Sequence, residues 1–189
     1  MSRAYTLKKR AEQQAKTRRR IVEAAVELHT ALGPARTPLS LVAERAGVQR
    51  KTLYAHFGDE RALMLACSGL ALERDPPPDP VAWRTIEDRP LRLRTGLASL
   101  YAWYRHNSDL FASVLRDADY HPLTREIAEL RFGPTLEACK AVLLEGLVAT
   151  QVAMLTLALD FSSWRILTRG GGLDDASAAE AMAEAITRA

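Results

Sequence analysis

Apolar residues recur at helical spacing along almost the whole chain, and this periodicity limits the possible folds more than any other feature. Early in the sequence, Ile21, Ala25, Leu28 and Leu32 fall at i, i+4, i+7 and i+11, which places them on one helix face. Patterns typical of strands are almost absent, because β-branched residues are scattered and no Asn-Gly or Asp-Gly turn occurs. The sequence therefore predicts an all-α fold.

Capping residues and helix breakers set the predicted helix limits. Thr17 is the expected cap of the first helix, which ends at Gly33-Pro34, and Thr37 is the expected cap of a second helix that stops at Gly47. The prolines of residues 75–80 predict an irregular loop, because proline lacks an amide donor. The other predicted helices cover about residues 50–57, 60–74, 90–106, 109–117, 122–146, 150–168 and 174–187.

The composition excludes several classes of protein. The 189 residues are 48% apolar, as in ordinary globular proteins, and two cysteines are too few for a disulfide scaffold. No Cys/His cluster has zinc-site spacing, so neither a metal nor a cofactor is expected. Glu145 and Gln151 interrupt the longest apolar stretch, and the basic N-terminus lacks the apolar run of a secretory signal. We expect a soluble, cytoplasmic protein without a membrane partner.

Positive charge is concentrated at the N-terminal end of the chain. Residues 1–61 contain 13 Lys and Arg against 6 Asp and Glu, a net charge of +7, whereas residues 62–189 carry a net charge of −4. Such segregation indicates a basic module that meets a polyanion, joined to a module with another task. Charge alone leaves a solvated basic tail as the alternative.

The segment Leu39–Phe57 has the plan of a helix-turn-helix. A short helix ends at Gly47, where glycine suits a sharp turn, and the next helix has a polar, basic and aromatic outer face. In such a motif the first helix braces the second, which lies in the major groove of DNA. The sequence therefore predicts double-stranded DNA as a partner.

Together with the preceding helix, this segment resembles the tetracycline-repressor (TetR) family of bacterial regulators. The resemblance covers about residues 17–65 and implies an all-helical homodimer with DNA-reading heads and a larger ligand-binding body. The implied domains are a flexible basic arm (1–16), a three-helix helix-turn-helix domain (17–61) and a helical ligand-binding and dimerisation domain (62–189). Four blocks carry the resemblance in the family's order and spacing: Ile21–Ala25, Val42–Val48, Thr52–Phe57 and Ala62–Leu63.

The resemblance also implies which residues contact DNA. Arg50 is the candidate for a bidentate pair with guanine. Tyr54 and His56 would hold phosphates, with packing against the fourth helix as the alternative, and Thr37 would hold a phosphate from the start of the second helix. The predicted DNA-binding residues are Thr37, Gln49, Arg50, Lys51, Thr52, Tyr54 and His56.

Two positions depart from the family's pattern. Gln49 stands where Ser or Thr often caps the third helix, and glutamine is a poor cap. The family often has a phosphate-binding lysine just before the Ala-Leu block, whereas this chain reads Asp59-Glu60-Arg61. Either Arg61 binds that phosphate instead, or no side chain does.

A basic arm precedes the motif. Residues 1–20 contain eight Lys and Arg against a single acid, Glu12. Because arms beside a helix-turn-helix often follow the DNA backbone or enter a minor groove, we expect this one to contact DNA rather than to be an inert tail.

The C-terminal body contains most of the aromatic residues. Many of these are expected to form its core, but aromatic walls with a few polar groups are also typical of a small-molecule pocket. Asp160 follows an apolar run, where a carboxylate needs a partner, a water or a ligand. We expect a pocket for a planar or lipophilic effector, bounded by the helices at about 90–106, 109–117, 122–146 and 150–168. The predicted ligand-binding residues are Trp103, Tyr104, His106, Phe111, Arg116, Asp160, Phe161 and Trp164.

The last two predicted helices, 150–168 and 174–187, have wide faces of small and apolar residues. The resemblance implies that they form a four-helix dimer interface with their symmetry mates, and an intramolecular bundle is the alternative.

The expected function is a ligand-responsive repressor. A ligand-independent structural DNA-binding protein is the alternative, and an enzyme is not favoured because no catalytic motif such as Gly-Xaa-Ser-Xaa-Gly is present.

Overall fold

A computed structural model describes the backbone of residues 3–189 and the side chains of residues 5 and 7–189. This part of the chain is helical and contains no strand, so the predicted all-α fold is confirmed. None of its helices is long and apolar enough to cross a membrane. The α-helices are α1 (Arg3–Ala31), α2 (Leu39–Arg45), α3 (Arg50–His56), α4 (Glu60–Arg74), α5 (Arg89–His106), α6 (Ser108–Ala118), α7 (Pro122–Leu143), α8 (Ala149–Ala158), α9 (Phe161–Arg165) and α10 (Asp175–Arg188).

Three short elements join these helices. A 3₁₀-helix, Pro34–Arg36, precedes α2, and a second one, Pro80–Thr85, follows the proline-rich loop. A π-helical turn, Ile166–Gly170, continues directly from α9. The chain divides into two compact units, of which the first comprises Met1–Arg74 with Ala112–Ala128 and the second Asp75–Phe111 with Glu129–Ala189.

The first unit has its hydrophobic core where α1, α2, α3 and α4 meet. The predicted face of α1 supplies Ile21 and Ala25, both 0% exposed, whereas Leu32, just after the helix, is 39% exposed. Ala43 of α2 and Ala46, which directly follows this helix, are buried as well. The buried core of these four helices comprises Ile21, Val22, Ala24, Ala25, Val42, Ala43, Ala46, Leu53, Phe57, Leu63 and Cys67.

Two predicted helix starts in this unit are wrong. The first helix begins at Arg3 rather than at Thr17, because the preceding residues include strong helix formers such as Ala, Lys, Glu and Gln. The segment predicted as a flexible arm is therefore helical from Arg3 onward, and its flexibility stays a prediction. The second helix is not capped by Thr37, since its N-cap is Pro38 and no side chain caps it.

The second unit is built around α5, which packs against α10 and α9. Asp88 accepts a hydrogen bond from the Leu91 amide and so caps α5, while Asp174 caps α10 through the Ser177 amide. The helix predicted over 122–146 ends at Leu143. The prediction of one helix over 150–168 is wrong, because α8 ends at Ala158 and a new helix, α9, begins at Phe161.

Asp160 provides the reason for this break. Its carboxylate accepts hydrogen bonds from the amides of Ser162 and Ser163, so it is the N-cap that starts α9. The partner expected for a carboxylate after an apolar run is therefore the backbone of its own chain.

His29 is a buried titratable group in the core of the first unit. It is 6% exposed, and its Nδ1 lies 3.4 Å from the Sγ atom of Cys67. Desolvation by burial lowers the pKa of His29 to about 4, although the negative charge of Asp117 raises this pKa and so offsets part of the effect. The folded protein therefore holds this imidazole neutral at pH values where the unfolded chain takes up a proton.

We expect the stability to fall between pH 7.5 and pH 5 by about 2 kcal/mol on account of His29. The reason is that the unfolded state is protonated below about pH 6.5, whereas the folded state resists protonation until about pH 4. Denaturant titrations at the two pH values measure the decrease. A His29→Leu variant should lose most of this pH dependence, and the exposed His106→Gln should retain it; equal pH dependence in all three proteins would contradict this assignment.

Candidate nucleic-acid interface

A sharp turn joins α2 to α3. Gly47 has a φ of 63°, in the left-handed region that favours glycine. Its amide donates to the carbonyl of Glu44, and the Val48 amide donates to that of Ala43. These bonds close the end of α2 and direct the chain into α3, as the sequence predicted from Gly47.

The outer face of α3 presents polar and basic side chains to solvent. Arg50 and Lys51 are exposed, as is Tyr54 at 42% of its surface, whereas Leu53 is completely buried against the core. Gln49 is the N-cap residue and makes no side-chain capping bond, as the sequence indicated. Of the other predicted residues on α3, Thr52 and His56 are half-buried. Six of the seven predicted DNA-binding residues thus lie on or next to one exposed helix.

Arginine–aromatic contacts order this face. The guanidinium of Arg50 lies 6.0 Å from the ring centroid of Tyr54, one helical turn further along α3. At the other end of α3, the guanidinium of Arg18 lies 4.6 Å from the ring centroid of Phe57. The second contact joins the basic part of α1 to the end of α3.

Thr37 is separated from this exposed set. It is 3% exposed, and its hydroxyl donates a 2.8 Å hydrogen bond to the Gly33 carbonyl. A phosphate could accept a hydrogen bond from the Thr37 hydroxyl only if the bond to Gly33 were broken. The structure therefore gives Thr37 a local role in holding the loop before α2, and its predicted phosphate contact stays a prediction.

Arg61 has a protein partner in this structure. Its guanidinium forms an ion pair with Glu126 at 2.7 Å, and both side chains are half-exposed. This ion pair bears on the departure from the family's pattern at Asp59-Glu60-Arg61. A phosphate would have to compete with the Glu126 carboxylate for Arg61.

A buried carboxylate holds the loop that leads from α1 into α2. Asp117 of α6 is 0% exposed, and its Oδ2 accepts a 2.9 Å hydrogen bond from the Ala35 amide. Its other oxygen accepts from Arg116 Nε and from the Tyr120 hydroxyl, each at 2.9 Å. Burial alone would raise the pKa of Asp117, but these hydrogen bonds outweigh burial and hold the pKa below its ordinary value.

Further contacts from α6 hold the same part of the chain. Ser113 donates to the carbonyl of Thr30 at 3.1 Å, and Arg116 donates to that of Leu32 at 2.8 Å. Gly33 has a φ of 94°, and a Cβ added there would overlap the side chains of Arg116 and Asp117. We call the residues Ser113, Arg116 and Asp117 the α6 clamp.

The α6 clamp is the part of the site that sequence reasoning missed. Arg116 was predicted to bind ligand, and its neighbour Asp117 had no predicted role. The only signal is the spacing of Ser113 and Asp117, which places a small polar residue and an acid on one helix face. Their partners lie 82 or more residues earlier, and no local pattern specifies such contacts.

Five of the predicted ligand-binding residues form an aromatic cluster in the second unit. Trp103, Tyr104, Phe111, Phe161 and Trp164 are all buried. Their ring centroids lie 4.9–6.0 Å apart in the contacting pairs, with edge-on or tilted orientations. These rings therefore fill the space between their helices by contact with one another, and their predicted ligand contacts stay predictions.

The other three predicted ligand-binding residues do not join this cluster. His106 is exposed and lies 3.7 Å from Asp75, while the Asp160 carboxylate caps α9. Arg116 belongs to the first unit, where it forms part of the α6 clamp. Among the residues that the structure describes, no group of three or more His, Cys, Asp or Glu side chains could hold a metal ion.

Replacing Asp117 with asparagine should destabilise the protein by about 3 kcal/mol, because the buried position would lose the charged acceptor that the Ala35 amide, Arg116 and Tyr120 share. The exposed Asp119→Asn removes the same charge two residues away and should change stability by less than about 0.5 kcal/mol. Urea denaturation of the two variants measures the difference. Equal stabilities for D117N and D119N would show that the clamp contributes nothing.

The comparisons with known proteins agree with this geometry. Residues 21–67 match the family model described as "Bacterial regulatory proteins, tetR family". These residues extend from the buried face of α1 to Cys67 in α4, and so include the whole helix-turn-helix. The resemblance to the TetR family is therefore confirmed, and with it a DNA-binding helix-turn-helix. Among curated protein sequences, none matches the chain.

Solved structures of similar fold cover nearly the whole chain. A putative TetR-family transcriptional regulator from Mesorhizobium loti is 17% identical, with a TM-score of 0.65, over 92% of this chain and 96% of that one. The TetR-family regulator PfmR from Thermus thermophilus is 22% identical, with a TM-score of 0.62, over 89% and 97%. The regulator FadR from Bacillus subtilis, solved with stearoyl-CoA, is 16% identical, with a TM-score of 0.61, over 88% and 96%. These structures confirm the fold, an N-terminal helix-turn-helix domain followed by a helical C-terminal domain.

Proposed function

We propose that this TetR-family regulator is a ligand-responsive repressor that a small lipophilic or aromatic molecule releases from its DNA operator. The observation that carries the proposal is the exposed face of α3, where Arg50, Lys51 and Tyr54 point to solvent on a helix braced by a buried core. A rigid helix with such a face suits the major groove.

We assign different tasks to the residues on this face. Arg50 reads a base, because its planar guanidinium can pair with both acceptors of a guanine. Tyr54 and His56 hold phosphates, which fix the position of α3 without reading sequence. The guanidinium of Arg50 lies 6.0 Å from the Tyr54 ring centroid, so the base-reading and phosphate-holding side chains assigned here are neighbours on one exposed face.

The α6 clamp supports a route by which a ligand could act on DNA binding. The clamp fixes the loop between α1 and α2, and α2 packs against α3, the helix proposed to enter the major groove. A ligand that favours a displaced α6 would free this loop and weaken DNA binding. Such coupling requires the ligand to bind the DNA-incompetent state more tightly.

Support for a lipophilic effector comes from the second unit and from one structural neighbour. The second unit contains the aromatic cluster, and FadR from Bacillus subtilis was solved with stearoyl-CoA.

The close packing of the cluster favours the alternative of a ligand-independent structural DNA-binding protein. Affinity that ignores DNA sequence would support that alternative.

Replacing Arg50 with alanine should lower the affinity for a selected operator by about 1–3 kcal/mol and relax one base position, because alanine cannot form the bidentate pair with a base. Tyr54→Phe should weaken binding to all sequences about equally. Fluorescence anisotropy with a panel of single-base operator variants separates the two effects.

Arg84→Ala is the matched control for Arg50→Ala, since it removes one exposed positive charge from the second unit. It should leave base preference unchanged. An unchanged base preference for R50A as well would show that Arg50 does not read a base.

The N-terminal part of α1 is proposed to contact the DNA backbone. Lys8, Lys9, Arg10 and Lys16 are exposed, and none of them forms an ion pair with a described residue. The side chain of Arg3, a further member of the predicted arm, lies outside the described residues. A helix with free basic side chains supports phosphate contacts whether or not it is mobile.

Deleting residues 1–16 should make the dependence of log affinity on log salt shallower by up to about 0.9 for each phosphate that the segment neutralises, and by twice that in a dimer. Replacing the four exposed basic residues with glutamine should have a similar effect without shortening α1. A salt dependence identical to that of the full chain would mark this segment as a solvated tail.

We further propose that the protein is a dimer through α8 and α10. Ala149, Ala153 and Leu157 follow one another at i, i+4 and i+8 on α8, and all three are exposed. Leu157 is 52% exposed, whereas Met182 on α10 is 8% exposed and belongs to the core of its own chain. The unpartnered apolar face therefore lies mainly on α8.

Replacing Leu157 with arginine should produce folded monomers, because the charge would be buried at the interface. Leu130→Arg is the matched control, since Leu130 is 50% exposed and lies on α7. Analytical ultracentrifugation of both variants measures the assembly. A dimer of unchanged affinity in L157R would place the interface elsewhere.

A further inference from the structure

A pocket in the second unit lies outside the aromatic cluster that the sequence predicted as the ligand site. Its volume is about 270 Å³, near the lower end for small-molecule sites. Of the predicted ligand-binding residues, Trp164 alone lines it. The lining residues are Arg105, Ser108, Trp164, Thr168, Arg169, Leu173, Asp174 and Asp175.

The walls of this pocket combine an apolar surface with polar groups. Leu173, which is 36% exposed, supplies most of the accessible apolar part. Trp164 is 3% exposed, so it contributes only an edge, and its Nε1 donates a 3.1 Å hydrogen bond to Asp175. The apolar wall therefore indicates an organic ligand rather than a bare inorganic ion.

Three of the four charged groups in the lining already have close partners. Arg105 Nε lies 2.8 Å from the Asp175 carboxylate, so these charges neutralise each other. Asp174 accepts the Ser177 amide as the N-cap of α10, and its pKa is lowered by that bond. The Asp174 carboxylate keeps its negative charge, because an amide donor does not neutralise it, and none of these three groups supplies a free positive charge for a ligand.

Arg169 is the exception among these charged groups. Its Nη2 atom lies 3.4 Å from the Ser108 hydroxyl and 3.7 Å from the Asp109 carboxylate, and its side chain is 61% exposed. Contacts of this length to an exposed group are weak, so the guanidinium can turn to a better acceptor. The pocket thus contains one available cation beside the apolar side chain of Leu173.

The backbone brings Arg169 to this position. Arg169 and Thr168 belong to the π-helical turn Ile166–Gly170, which follows α9. π-helical turns are rare and occur frequently at functional sites. We propose that this pocket binds a small organic carboxylate, with its apolar part against Leu173 and its carboxylate paired with Arg169.

Carboxylate binding by this pocket of the second unit does not depend on the proposed function. Only the further step, that the bound carboxylate acts as the effector, rests on the proposed function. The two can fail separately, because carboxylate binding is measured without DNA and operator binding is measured without carboxylate.

The test uses benzoate as the probe and benzamide as its uncharged counterpart, titrated into the full chain and followed by NMR chemical shifts of the tryptophan side chains. Benzoate should bind saturably, shift the Trp164 indole signal and bind at least about tenfold more tightly than benzamide, as a charge-assisted contact requires. Absence of saturable benzoate binding, or equal affinity for benzamide, would overturn the proposal.

Substitutions then identify the cation. Arg169→Gln and Arg169→Glu should each weaken benzoate binding by at least about tenfold, whereas the exposed Arg165→Gln, which does not line the pocket, should change it less than about twofold. Circular dichroism checks that all three variants are folded. Unchanged benzoate affinity in both Arg169 variants would contradict the assigned role.

Discussion

The carboxylate of Asp117 makes the contacts on which the position of the helix-turn-helix depends. It is completely buried, yet it remains charged because an amide, a guanidinium and a phenol all donate to it. Gly33 allows this approach, since any larger residue there would overlap the clamp. A buried charge with satisfied partners is costly to disturb, so the loop before α2 is held in one arrangement.

The position of α3 follows from this arrangement. The loop leads into α2, α2 packs on α3, and Leu53 and Phe57 anchor α3 in the shared core. Its outer face is left free for Arg50, Lys51 and Tyr54. Buried apolar contacts therefore fix this helix, whereas the polar groups on its outer face are exposed to solvent.

Local signals in the sequence predicted the limits of α3 and α4, because Gly47 and Gly58-Asp59 interrupt the helices next to them. The sequence analysis did not assign residues 3–16 to α1, because it interpreted Thr17 as a helix cap. Thr17 lies inside the helix, since strong helix formers continue before it. Asp160 was recognised as needing a partner, but whether that partner was a ligand or two amides depended on a helix break that periodicity did not reveal. The α6 clamp and the Arg61–Glu126 pair join residues distant in sequence, so they required the structure.

We propose that this chain reads a specific DNA sequence as a dimer of helix-turn-helix heads. The most direct measurement is selection of bound fragments from a random DNA pool by the full chain. We expect enrichment of an inverted repeat, with half-sites about one helical turn, 10–10.5 base pairs, or a multiple of it apart. Binding of the pool without enrichment of any sequence would contradict the claim.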